Sequence, residues 1–111
     1  MHDVEVDPED ASHVLGSLNW GLRGIVVLPE SIGDLTVDGH LWLEKNQLES
    51  LPTSFGSLTV GGDLYLYSNK LESLPESFGS LTVGGDLGLH YNPVAKSLNA
   101  HSFPGLTLRL E

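Results

Sequence analysis

Leu-Pro recurs at Leu28-Pro29, Leu51-Pro52 and Leu74-Pro75, and each occurrence opens a block whose residue types return 23 positions later. The blocks read LPESIGDLTVDGHLWLEKNQLES, LPTSFGSLTVGGDLYLYSNKLES and LPESFGSLTVGGDLGLHYNPVAK. A block of this length cannot close a core alone, so the period requires each unit to stack on the next. Short strands are expected around Leu41-Trp42-Leu43, Leu64-Tyr65-Leu66 and Leu87-Gly88-Leu89, with the leucines turned inward by alternation. Stacking then makes columns: Leu41/Leu64/Leu87, Leu43/Leu66/Leu89, Leu48/Leu71/Val94, Leu28/Leu51/Leu74, Ile32/Phe55/Phe78 and Leu35/Leu58/Leu81. Burying one such side chain contributes on the order of 2 kcal/mol.

Each block also carries L-x-L-x-x-N-x-L, with Asn46, Asn69 and Asn92 in the Asn column, Leu-Pro beyond it and Ile/Phe-Gly just after. From about Leu28 to Pro93 this pattern resembles the 23-residue intracellular class of leucine-rich repeats. The resemblance implies an α/β solenoid, a short right-handed coil with one parallel sheet on its concave face, and it makes that face the usual binding surface. One departure stands out: the inward aliphatic before the first strand Leu is replaced by Asp38, Gly61 and Gly84, while Val37, Val60 and Val83 sit one position earlier. Counting back by two from Leu64 turns Val60 inward, and the adjacent Gly pair then suggests a bulge or a close backbone approach.

The Asn column is read as structural, its amide pairing backbone groups where the strand turns away. The Pro column fixes φ where the chain leaves the inner columns, and Gly33, Gly56 and Gly79 are expected to supply tight or left-handed bends.

The chain is expected to be one domain over 1–111, with a helical cap over 1–24, three repeats over 28–96 and a partial C-terminal repeat over 97–111. Asp7-Pro8-Glu9-Asp10 is a strong helix start, followed at helical spacing by Ala11, Val14, Leu15, Leu18 and Leu22. A competing register reads Leu15-x-x-Leu18-x-Trp20 as a degenerate strand. Phe103 to Leu110 reads as a partial coil ending in a short strand.

There is no cysteine, so disulfide caps, thiolate metal sites and a cysteine nucleophile are excluded. The first residues, MHDVEVDPED, lack a basic stretch followed by an apolar run, and no apolar run reaches the length of a bilayer span. A cytoplasmic location is therefore expected. Fifteen acids against five Lys and Arg give a net charge of −10, which disfavours nucleic acid and anionic lipid and would attract a basic partner.

Blocks two and three share their frame and differ as Tyr65/Gly88, Tyr67/His90 and Ser68/Tyr91, so variation concentrates where side chains face outward. Trp42, Tyr65, Tyr67 and Tyr91 are aromatics of the kind that dominate interface hot spots, rimmed by His40, Glu44, Asp63, Asp86 and His90. These nine residues form the candidate partner-binding surface. Acids alone in the column His40/Asp63/Asp86 supply too few ligands for a metal, and no catalytic or nucleotide-binding motif occurs, so no cofactor is expected. The expected function is non-enzymatic: a scaffold module binding a protein or peptide. The competing class is a structural repeat unit that associates with copies of itself.

Overall fold

The protein is described by a computed structural model covering residues 6–7, 10–99 and 101–110. Strands alternate with lone helical turns. β1 (Val6–Asp7), β2 (Asp10–Val14) and β3 (Leu18–Asn19) precede a 3-10 turn at Glu30–Asp34. Then follow β4 (Thr36–Val37), β5 (Leu41–Trp42), a 3-10 turn at Thr53–Ser57, β6 (Thr59–Val60) and β7 (Leu64–Tyr65). The chain closes with a 3-10 turn at Glu76–Ser80, β8 (Thr82–Val83), β9 (Asp86–Gly88), a 3-10 turn at Pro93–Ser97 and β10 (Thr107–Arg109).

Two sheets result where one was expected. The first has the order β1-β2-β4-β6-β8 and the second β10-β9-β7-β5-β3, and all pairings are parallel except β1 with β2. Leu41 pairs with Leu64 and Leu64 with Leu87, while Val37 pairs with Val60 and Val60 with Val83, so the 23-residue period is the sheet register itself. The departure at Val37/Val60/Val83 has a physical account. Thr-Val is a β-branched pair suited to a strand, and the Asp38-Gly39, Gly61-Gly62 or Gly84-Gly85 that follows bends the chain before the Leu strand begins. Val37 and Val60 are fully buried. At Gly61 and Gly84 a Cβ would collide with the carbonyl oxygens of Asp38 and Gly61 respectively. The glycines thus serve close stacking of backbone on backbone, not ligand binding.

Pro52, at φ −66° and ψ 157°, leads into the Thr53–Ser57 turn, which Phe55 N closes by donating to Pro52 O at 3.0 Å. This turn points Phe55 inward, stacked on Phe78 with ring centroids 6.2 Å apart and planes 5° off parallel. Gly33 and Gly56 are not left-handed bends. They lie buried inside 3-10 turns where a side chain would strike the next block's Ser54 or Ser77 backbone, and Gly24 is the one positive-φ glycine among the described residues.

The Asn column ties adjacent blocks together. Asn69 Oδ1 accepts Leu48 N at 3.1 Å, and Nδ2 donates to Leu43 O and Leu66 O, both at 3.0 Å. Asn92 repeats the pattern with Leu71 N, Leu66 O and Leu89 O, and Asn46 does so with Arg23 N, Ile25 N, Trp20 O and Leu43 O. Each amide occupies donors and acceptors that the turning strand would otherwise bury unpaired. Just before each Asn the backbone is left-handed, at Lys45, Ser68 and Tyr91, with φ from 58° to 60°.

The expected N-terminal capping helix is overturned. Residues 1–5, Pro8 and Glu9 lie outside the described residues, but the described part of the segment is strand, turn and extended chain. Val14 pairs with Val37 and Leu18 with Leu41, both side chains being 2% exposed, whereas Leu15 and Leu22, expected on the helix's inner face, are 43% and 73% exposed. A helix there would have satisfied its own backbone and left the edges of β4 and β5 unpaired. Parallel pairing satisfies both, and such tertiary gains outweigh local propensity. Leu22 also has φ 60°, so the left-handed column reaches back through a degenerate block that the competing Leu18-x-Trp20 register anticipated.

Candidate functional site

Alternation along β5 and β7 turns Trp42 and Tyr65 away from the buried leucines, and their cross-strand pairing places the rings side by side. They stack with centroids 6.2 Å apart and planes 14° off parallel. The contact continues in both directions. His40 lies 5.3 Å from Trp42, Tyr67 meets Tyr65 edge-on at 6.1 Å, His90 stacks on Tyr67 at 4.5 Å, and Tyr91 meets His90 edge-on at 5.0 Å. Six of the nine expected site residues thus form one run of touching rings across three blocks. Ring pairs of this kind contribute about 0.5–1.5 kcal/mol each beyond burial, so the face is ordered before any partner arrives.

Tyr91 differs from the others. It is no strand residue but occupies the left-handed turn, and it stands 74% exposed at the end of the run. Gly88, which replaces the strand aromatic in block three, is buried beneath this run: a Cβ there would stand 3.6 Å from each of Tyr65, Tyr67 and His90. A Cβ at that distance makes only ordinary contact, so what the rings exclude there is a larger side chain such as the aromatic of blocks one and two.

The remaining rim residues have geometry of two kinds. Ser17 Oγ accepts His40 N at 2.9 Å, His40 Nδ1 accepts Asp63 N at 2.9 Å, and Asp63 Oδ1 accepts Asp86 N at 2.7 Å. This column is a second side-chain ladder, parallel to the Asn ladder and fixing the strand starts. Acceptance at Nδ1 requires that nitrogen to be unprotonated, which puts the ring hydrogen on Nε2. The 3.6 Å separation of His40 Nδ1 and Asp63 Oδ2 is therefore not a salt bridge in this tautomer. Asp86 is held from outside by Arg109, whose Nε and guanidinium nitrogen lie 3.1 and 3.0 Å from its carboxylate. With their oxygens and nitrogen so engaged, His40, Asp63 and Asp86 do not converge on a metal, and no group of three or more ligating side chains among the described residues could hold one.

Glu44 is the other kind. Its carboxylate lies over Gly21, close enough that a Cβ on Gly21 would stand 2.6 Å from Oε2, and its Oε1 is shielded yet has no hydrogen-bond partner.

The backbone N–H of Asp86 and then the Tyr65 hydroxyl, which donates to Asp63 Oδ2 at 2.8 Å, hold the Asp63 carboxyl below the usual carboxylate range. The same bond raises the Tyr65 phenol above its ordinary value. A carboxyl whose folded pKa is depressed stabilises the fold above its unfolded pKa and loses that contribution as pH falls through the folded one. The melting temperature of Asp63→Asn is accordingly expected below wild type at neutral pH, with the gap closing as pH drops below about 4. Melting curves of both chains across that range check it, and a gap unchanged with pH would remove the charge from the account.

Open clefts include one of about 530 Å³ at the end of the ring run, lined by Tyr91, Asn92, Pro93, Ala95, Lys96 and Leu110, and one of about 320 Å³ lined by Trp20, Arg23, Ile25, Val27, Leu28 and Pro29. Neither is lined by Trp42, Tyr65 or Tyr67. The aromatic face suits a protein or peptide surface better than an enclosed small molecule. Reading the blocks alone missed Ser17, Asn19, Gly21 and Arg109, which the register sets in line with the named columns. Subtracting 23 from His40, Trp42 and Glu44 would have found the first three. Against known proteins, no family model matches the chain and no curated protein is matched by it.

Proposed function

We propose that this chain is a non-enzymatic interaction module that binds a protein or peptide on the outward face of the β3-β5-β7-β9-β10 sheet. The observation that carries the reading is the unbroken ring contact from His40 through Trp42, Tyr65, Tyr67 and His90 to Tyr91. Large aromatics held in place lose little entropy on binding, which is why such residues become hot spots. The 23-residue columns support a short right-handed leucine-rich-repeat solenoid of the intracellular class, with this face as its concave side and the cytoplasm as its location. No helix among the described residues is long and apolar enough to cross a membrane.

Affinity capture followed by titration tests the site. Trp42→Ala or Tyr65→Ala should weaken binding of the captured partner by about 2 kcal/mol or more. Glu76→Ala, on an exposed turn away from the rings, should leave binding unchanged. The reverse pattern would move recognition to the outer turns.

A second reading, self-association, is favoured by one specific observation. Where the repeats carry exposed Glu49-Ser50 and Glu72-Ser73, the degenerate block carries Val26 and Val27, 56% and 76% exposed. Light scattering over a concentration series separates the two: a dimer abolished by Val27→Glu would favour the structural unit, and a monomer throughout would favour partner binding.

A further inference from the structure

Among the described residues, two shielded side-chain polar atoms lack a hydrogen-bond partner, Glu44 Oε1 and His90 Nδ1. Both belong to the same outward column, and they flank Tyr67: Glu44 one block before it, His90 one block after. Natural folds leave few such atoms unpaired, and each calls for an explanation. Several other polar groups of this face are engaged within the chain. His40, Asp63 and Asp86 accept backbone N–H groups or an arginine, and the Tyr65 hydroxyl donates to Asp63.

Glu44 is the more telling of the two. Its Oε1 is out of water without a donor, an arrangement less favourable than a paired carboxylate, and it forms no ion pair among the described residues. It is not crowded into this position by a neighbour. Gly21 leaves the space over which it lies, and any side chain at that position would evict it. Beside it stand Trp42 and Tyr67, whose faces attract cations, and the chain as a whole carries a net charge of −10.

We infer that the face takes a peptide segment bearing an Arg or Lys, whose cationic head pairs with the half-buried Glu44 carboxylate against Trp42 and Tyr67. The inference rests on the proposal that this face binds a protein or peptide, and it specifies the chemistry of that partner. The cation supplies the donor that Glu44 lacks, and burial beside two aromatic rings strengthens the pair relative to one at an open surface.

The probe is a phage-displayed library of random peptides panned on the full chain, with the selected sequences then synthesised. Enrichment of Arg or Lys at one aligned position is expected. Replacing that residue with citrulline or norleucine, or making Glu44→Gln in the protein, should each weaken binding by about 10- to 100-fold. Combining both should cost little more than either alone, because the same pair is removed twice. Glu44→Lys should shift the selected peptides towards Asp and Glu, and melting curves confirm that the variants fold. If the peptides lose binding with Trp42→Ala yet bind Glu44→Gln within about twofold, the cation proposal fails while the binding face stands. If selected peptides are indifferent to both changes, or no peptide is enriched over a blank support, both fail.

Discussion

Leu66→Ala is expected to destabilise the fold by about 2 to 5 kcal/mol, a large part of the stability of a domain this small. The magnitude follows from the position. Leu66 is fully buried in the middle of its column, with Leu43 and Leu89, also fully buried, in the adjoining blocks. A truncation there leaves a cavity between two fixed layers. The layers cannot collapse into it, because Leu43 N donates to Tyr65 O at 2.8 Å and Leu66 N donates to Gly88 O at 2.8 Å, which hold the strand spacing. The residual cavity therefore adds to the lost transfer energy. The same truncation at Leu74, which is only partly buried, should cost distinctly less. Denaturant melts of the two variants decide the matter, and near wild-type stability for Leu66→Ala would contradict the column assignment.

That prediction rests on what was legible in the sequence, namely the inward columns. A period of 23 with leucines at fixed offsets leaves one way to bury them, and Leu41, Leu43, Leu64, Leu66, Leu87 and Leu89 are all fully buried. The second sheet was less legible, since the Gly pair interrupts alternation between Val60 and Leu64 and a two-residue strand carries almost no periodic signal. At the N-terminus the local signals pointed the wrong way. Asp-Pro-Glu-Asp and the helical spacing of Val14, Leu15 and Leu18 describe what an isolated segment prefers, not what the open edges of β4 and β5 supply as partners. The left-handed column had no signal at all. Leu22, Lys45, Ser68 and Tyr91 share neither size nor chemistry, and none is Gly or Asn. Lys45, Ser68 and Tyr91 precede the Asn, whose amide draws the backbone of two blocks around itself, whereas Leu22 precedes Arg23.

At the candidate site the outward aromatics were legible as residue types, because the blocks differ there and little else does. Their arrangement was not. Alternation places Trp42 and Tyr65 on one face, but the perpendicular approach of Tyr67 and the stacking of His90 occur over Gly88, where a larger side chain is excluded. Nor could the sequence separate the roles of the acidic residues. Asp63 and Asp86 answer to backbone N–H and to Arg109, while Glu44 Oε1 has no partner among the described residues, and that difference arises only when the blocks are stacked.

The Asn ladder yields the other large effect. Asn69→Ala is expected to destabilise by about 1 to 3 kcal/mol, since Leu48 N would be left buried without its acceptor, while Leu43 O and Leu66 O would keep only the Asn46 and Asn92 amides. Asn69→Asp is the sharper test, because it preserves shape and the acceptor for Leu48 N while removing the two Nδ2 hydrogens. A carboxylate oxygen would then face the carbonyls of Leu43 and Leu66, where only a donor is tolerated. Protonation restores one donor, so the folded pKa of the introduced carboxyl must lie above its unfolded value. A raised pKa means stability that is present at low pH and lost as pH rises through the folded value. The deficit of Asn69→Asp against wild type should therefore be greatest at neutral pH and shrink on acidification, the same sense as for Asp63→Asn but from the opposite cause. In Asp63→Asn the wild type loses a stabilising charge, whereas in Asn69→Asp the variant sheds a destabilising one. Melts of the three chains at neutral and acidic pH separate the causes. On acidification the Asn69→Asp curve should move towards wild type by gaining stability, and the Asp63→Asn gap should close because wild type falls. If the Asn69→Asp deficit stays constant with pH, the amide hydrogens do not carry the link between blocks.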